Sequence, residues 1–114
     1  MASTCKYDID GFSKELGLSL TEVTELYCEL ITELHSETLK LKTSIADHDI
    51  ESQKRIIHNI KGITGNYRIF DVYELSSKIN DLFKSANWDQ AALLLPHFFY
   101  ICEIAISEIK TKLS

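Results

Sequence analysis

The chain is poor in turn-formers, with one proline and four glycines among 114 residues. So few breakers leave long uninterrupted segments, and their wealth of Leu, Ile, Glu and Lys makes them helical. No stretch alternates polar and apolar residues with period two, so no strand is predicted. Cysteine is scarce and odd in number: Cys5, Cys28 and Cys102 lie far apart, and there is no CxxC pair. This argues against a disulfide framework or a zinc site and fits a reducing cytoplasm. The net charge is −5, with both signs mixed throughout. Without a basic block, binding to DNA or RNA is not expected. Residues 1–10 hold no apolar run, so no signal peptide is expected. The most apolar segment, Ala91 to Ile106, is shorter than the roughly 20 residues of a membrane span. It also contains Pro96, His97 and Glu103, so it reads as a buried helix of a protein that does not enter the membrane.

The signatures of most catalysts are missing too. There is no GxSxG, no Walker loop and no GxGxxG after a strand. A di-iron bundle would need Glu-x-x-His pairs. The residues three before His35, His48, His58 and His97 are Thr32, Ile45, Arg55 and Leu94. No His-xxx-His pair occurs. Neither a metal nor a nucleotide or other cofactor of its own is expected.

What the chain does have is a succession of amphipathic helices within a single domain, residues 1–114. A short helical lid is predicted over about 6–18, carrying Tyr7, Ile9, Phe12, Leu16 and Leu18 and stopped by Gly17. Ser19-Leu20-Thr21-Glu22 fits a capping box, followed by a helix to about Ala46. Val23, Leu26, Tyr27, Leu30, Ile31, Leu34, Leu41 and Ile45 form its apolar stripe. Asp49 is a good N-cap for the next helix, about 50–68. Asp71 is the expected cap of a helix to about Ala86, and Asn87 that of a last helix to about Leu113. Pro96 predicts a kink in the last helix. That helix is apolar almost all round, so either two neighbours bury it or part of it is an interface. The expected fold is all-α: an antiparallel up-down four-helix bundle over about 19–113, with the extra N-terminal helix laid across it.

One stretch stands apart, Ile56 to Tyr67. At about 100° per residue, Ile56, Ile60, Ile63 and Tyr67 fall within roughly 60° of one another, and His58 lies about 180° from that stripe. Gly62 and Gly65 share the His58 face. Each helical glycine costs about 1 kcal/mol relative to alanine, so two on one exposed face predict that something approaches it closely. A solvated imidazole is mostly neutral at pH 7 and offers a nucleophilic nitrogen able to attack a phosphoryl group. Lys61, one turn on, can reach such a group with its ammonium. Lys54 and Arg55 add positive charge one turn earlier.

These residues resemble a known family. His58-Asn59-Ile60-Lys61-Gly62-Ile63-Thr64-Gly65-Asn66-Tyr67 is similar to the signature of histidine-containing phosphotransfer (HPt) domains: His-x-x-Lys-Gly, small residues, then an apolar one. The resemblance runs from about Ser19 to Leu113 and is strongest over Gln53 to Asn80. Asp49 and Ile50 match the usual start of the histidine helix. Ile69, Val72, Leu75 and Ile79 fall at the family's apolar core positions. The resemblance implies that His58 accepts a phosphoryl group from a receiver-domain aspartate and passes it to another receiver. It implies that Lys61 steadies that group and that Asn80 orients the ring from the next helix. Gly62 and Gly65 would give access. Lys54, Arg55, Arg68 and Lys84 are the remaining candidates for partner contact. The implied partners are response-regulator receiver domains and a hybrid sensor histidine kinase. The receiver would supply the acidic pocket and Mg²⁺, so the chain is expected to be a monomeric cytoplasmic carrier and not an enzyme. The sequence departs from the family at Arg68, where a small residue is usual, at Ile63, where serine or alanine is usual, and at Asn80, where glutamine or glutamate is common. Two other readings remain open: a module that binds receivers or kinases without carrying phosphate, and a purely structural helical bundle.

Overall fold

Ser19 and Glu22 cap each other. The Ser19 hydroxyl accepts from the Glu22 amide at 3.1 Å, and the Glu22 carboxylate accepts from the Ser19 amide at 3.0 Å. The computed structural model describes residues 6–114, and every regular element in that range is a helix. In chain order these are α1 (Ile9–Leu16), α2 (Leu20–Ala46), α3 (Ile50–Asn66), α4 (Phe70–Lys84) and α5 (Trp88–Leu113). Cys5 lies outside the described residues. An isolated antiparallel bridge joins Tyr7 to Ile69.

Local chemistry sets most of the helix ends. Gly17 ends α1 in the left-handed conformation, φ 64°, where glycine meets no steric penalty. Asp49 starts α3 by accepting from the Ser52 amide at 3.1 Å and the Ser52 hydroxyl at 2.6 Å. α4 departs from expectation. It begins two residues early, with Ile69 at the cap position and no side-chain cap bond. Asp71 lies inside the first turn, and its carboxylate accepts from the Lys6 amide at 2.8 Å. Asn87 does occupy the cap position of α5 but makes no side-chain cap bond. Pro96 lies within α5, which runs on through it.

Each helix packs on the next in chain order. Between α2 and α3, the Tyr27 hydroxyl donates to the Tyr67 carbonyl at 2.6 Å, and Gln53 reaches the Ser44 carbonyl at 3.4 Å. α3 also packs on α4, and α4 on α5, where the rings of Phe83 and Trp88 lie 6.0 Å apart. α5 returns to α2, with the Lys42 ammonium 5.3 Å from the Phe99 ring centre. α1 covers one end of this ring of contacts. Its Phe12 meets Tyr27 edge-on and stacks on Tyr67. α5 is long and apolar enough to cross a membrane by length and composition. Here it lies against α2 and α4, burying Ala91, Leu95, Phe98, Cys102, Ala105 and Ile109 and leaving Leu93 and Tyr100 exposed.

The buried face of α3 is Gln53, Ile56, Ile57, Ile60 and Thr64. Ile63 and Tyr67 are only half-buried. On a helical wheel this face is turned by about 40° from the Ile56–Tyr67 stripe, toward Ile57. The turn follows from packing on both α2 and α4, and polar residues fit into it because they are bonded. Thr64 donates to the Ile60 carbonyl at 2.7 Å, alongside the Gln53 bond to α2.

The cap carboxylates make the fold acid-sensitive. Hydrogen bonds from the Ser52 hydroxyl and amide hold Asp49 below the usual range, and the Ser19 amide does the same for Glu22. Asp8 is lowered chiefly by the Gly11 amide, with Arg68 assisting against partial desolvation. A lowered folded-state value means that the stabilisation is complete above the ordinary carboxyl values, 4.5 for Glu and 3.8 for Asp. It is lost as pH falls through the lower folded values. The urea midpoint is therefore expected to hold steady from pH 7 to 5 and to fall below pH 4.5. Asp49→Asn, which still caps but does not titrate, should flatten part of the fall. A midpoint unchanged between pH 5 and 3 contradicts this.

Candidate functional site

His58 stands on the exposed side of α3. Among the described residues it has no hydrogen-bond or ion-pair partner. The ring opens onto a shallow depression of about 460 Å³ lined by His58, Lys61, Gly62, Gly65, Asn66, Phe70 and Tyr73. Four sequence candidates, His58, Lys61, Gly62 and Gly65, are thus brought together on one face. Lys61 is half-buried and unpaired among the described residues. It stands at (i, i+3) from the ring, the spacing at which side chains on a helix meet.

The two glycines turn out to differ. A Cβ built at Gly65 would lie 2.9 Å from the Tyr73 ring, whereas one built at Gly62 would meet nothing within 4 Å. Gly65 makes room for an aromatic side chain of this same protein. Gly62 leaves open space beside His58. Both glycines remain on the wall of the depression, but only Gly62 leaves its Cβ position empty.

Phe70 and Tyr73 form an aromatic wall to the depression, and both are exposed. Sequence reasoning missed them. Phe70 falls between the two helices that the sequence predicts, and Tyr73 is not on an apolar stripe that the sequence marks. No local signal marks the pair, because Gly65 stands one residue before the end of α3 and meets Tyr73 only through the turn into α4.

Asn80 lies level with His58. Gly65 meets Tyr73. Counting seven residues back along α3 and seven on along α4, at 1.5 Å each, pairs position 58 with 80. Yet Asn80 is buried and its amide nitrogen has no partner among the described residues. The expected hydrogen bond from Asn80 to the His58 ring is not formed. A short side chain held in the interior does not reach an imidazole standing in solvent.

The other candidates scatter. The same register sets Lys84 level with Lys54, one turn below His58. Lys84 is exposed and unpaired among the described residues, and the Lys54 ammonium lies 3.9 Å from Glu51. Arg55 bonds the Ser52 hydroxyl at 3.3 Å and lines a different hollow, between α2 and α3, with Asp47 and Asp49. Arg68 departs most from expectation. It takes a left-handed φ of 59° in the turn between α3 and α4. Its guanidinium pairs with Asp8 at 3.2 Å and with Glu15. It therefore ties the turn to α1 and is not among the residues lining the His58 depression.

Chemically, the face offers an unencumbered nucleophilic ring, a cation one turn away and a stretch of bare backbone. Among the described residues no acid or base is bonded to the ring. Among the described residues no group of three or more His, Cys, Asp or Glu could hold a metal ion. Comparison with protein-family models, curated proteins and solved structures finds no match to this chain.

Proposed function

We propose that the chain is a phosphorelay carrier of the HPt type. His58 takes a phosphoryl group from the aspartyl phosphate of one receiver domain and gives it to the aspartate of another. A ring nitrogen of His58 forms the P–N bond as the P–O bond to the partner's carboxylate breaks. The carboxylate leaves with the electron pair, and onward transfer reverses the step. The observation that carries this reading is the free His58 ring with open space at Gly62 and the Lys61 ammonium one turn on. A partner active site can close over such a face, and Lys61 can offset the charge that gathers on the phosphoryl oxygens.

Such a carrier needs no cofactor of its own. The receiver brings the acidic pocket and Mg²⁺, and a hybrid sensor histidine kinase would feed the relay. The work of the fold is to hold the imidazole in place and keep it accessible. We read that fold as an antiparallel up-down four-helix bundle of α2 to α5 with α1 as its lid, in a single cytoplasmic, monomeric domain. The closed ring of helix contacts, α2 to α3 to α4 to α5 and back to α2, supports it.

The test is direct transfer. Receiver domains from the source genome, phosphorylated with a small-molecule phosphodonor, are expected to label the protein with an acid-labile, base-stable phosphate. A protein that takes no label from any receiver overturns the reading. If it binds receivers tightly all the same, and the complex survives His58→Ala, it is a docking module instead.

A further inference from the structure

The first turn of α4 has no cap from its own chain neighbourhood, because Ile69 has no side-chain oxygen to offer. Its leading amides are satisfied from the far end of the sequence. The Lys6 carbonyl accepts from Phe70 at 2.9 Å and from Asp71 at 3.4 Å. In return the Asp71 carboxylate accepts from the Lys6 amide at 2.8 Å. The Asp8 amide donates to the Arg68 carbonyl at 3.0 Å, and Tyr7 bridges Ile69. Residues 6–8 thus lie along residues 68–71 like a short added strand. The Arg68 guanidinium, held by Asp8 and Glu15, fastens the same contact from the side. The residue whose amide is held, Phe70, carries one of the two rings that wall the His58 depression. Tyr73, the other, starts the ladder of that turn by donating to the Ile69 carbonyl at 3.0 Å.

We propose that residues 6–8 are a positioning strap for the partner-docking wall of the His58 site. The strap supplies the missing cap of α4 and so fixes Phe70 and Tyr73 where an incoming receiver meets them. The inference rests on the reading of His58 as a phosphoryl acceptor. Asp71 is a positioning residue in this scheme. It acts on docking through Phe70. His58, Lys61 and Gly62 lie on α3, whose own hydrogen bonds the strap does not touch. Loosening the strap should therefore weaken docking and leave the step within the docked complex alone.

The experiment uses the full chain, its Asp71→Ala and Asp71→Asn variants, and a receiver phosphorylated with acetyl phosphate. In Asp71→Ala, amide exchange at positions 70 and 71 should quicken while the amides of α5 stay protected. The receiver concentration for half-maximal transfer should rise about fivefold, the scale of one lost capping bond. The maximal rate should stay within about twofold of wild type. Asp71→Asn keeps an acceptor oxygen and should recover most of the difference. Faster exchange with an unchanged half-saturation point overturns the strap's role in docking, as does unchanged exchange. A fall in maximal rate alone does the same. A wild-type protein that takes no label overturns the phosphorelay reading and the strap together. A labelled wild type with an unmoved Asp71→Ala overturns the strap alone.

Discussion

Gly62→Leu is expected to melt roughly 3–6 °C above the wild-type protein and to accept phosphoryl groups at least about tenfold more slowly. The two effects have one origin. Gly62 is the thirteenth residue of a 17-residue helix, a position where glycine costs about 1 kcal/mol relative to a good helix former. Nothing among the described residues requires it, since a Cβ there would meet open space. Stability alone would favour a larger residue. In a helix the Cα–Cβ bond tilts toward the N-terminus, so a side chain at 62 leans toward His58, one turn below. An isobutyl group there would stand where a partner active site must close. Gly62→Ala should give a similar stability gain and a smaller loss of transfer. Gly65→Ala should behave differently, because its methyl group would press on the Tyr73 ring at 2.9 Å. Tyr73 is partly exposed and can swing aside, which offsets the gain in helix propensity and disturbs the aromatic wall. Thermal denaturation followed by circular dichroism and transfer kinetics from one phosphorylated receiver separate these cases. A more stable Gly62→Leu that transfers at the wild-type rate would mean that nothing closes over this face.

His58→Gln is expected to abolish transfer and leave the fold alone. The ring is exposed and makes no hydrogen bond or ion pair among the described residues. Its removal breaks no internal contact of that kind, and stability should change by less than about 0.5 kcal/mol. Glutamine is a good helix former but has no nitrogen lone pair able to form a phosphoramidate. Loss of label with an unchanged melting curve therefore assigns the chemistry to the ring and not to the fold. Replacing the buried His-free core instead, at Phe98 for example, would remove transfer by unfolding the protein, which the melting curve would reveal.

The helices were legible because their punctuation is local. The Ser19–Glu22 box, the Asp49 cap and the Gly17 stop each depend on residues within a few positions, and each appears in the structure as the sequence implies. The start of α4 was not legible, because its cap comes from Lys6, more than sixty positions away along the chain. Asp71 looked like a cap since its type and spacing were right, yet its carboxylate faces that distant amide. The face carrying His58, Lys61 and Gly62 could be read from helical periodicity alone. The separate reason for Gly65 could not, because it depends on which residue of α4 faces it. Arg68 illustrates the same limit. The HPt resemblance leads one to expect a small residue there, and the left-handed φ gives that expectation a physical basis, since only glycine adopts such a conformation without penalty. Here an arginine accepts the strain and is held by two carboxylates of the lid. Pairs this exposed are weak and offset only part of a strain of about 1–2 kcal/mol. Asn80 shows that register and contact are separate matters: it sits level with His58 but is buried and unbonded to it.

The most direct measurement is to locate the phosphate. The protein is labelled from a phosphorylated receiver, kept at alkaline pH, digested and read by mass spectrometry under conditions that preserve phosphoramidates. One phosphoryl group on His58, lost in acid and absent from His58→Gln, is the predicted result. A phosphate on any other residue, or label that persists in His58→Gln, would contradict the account.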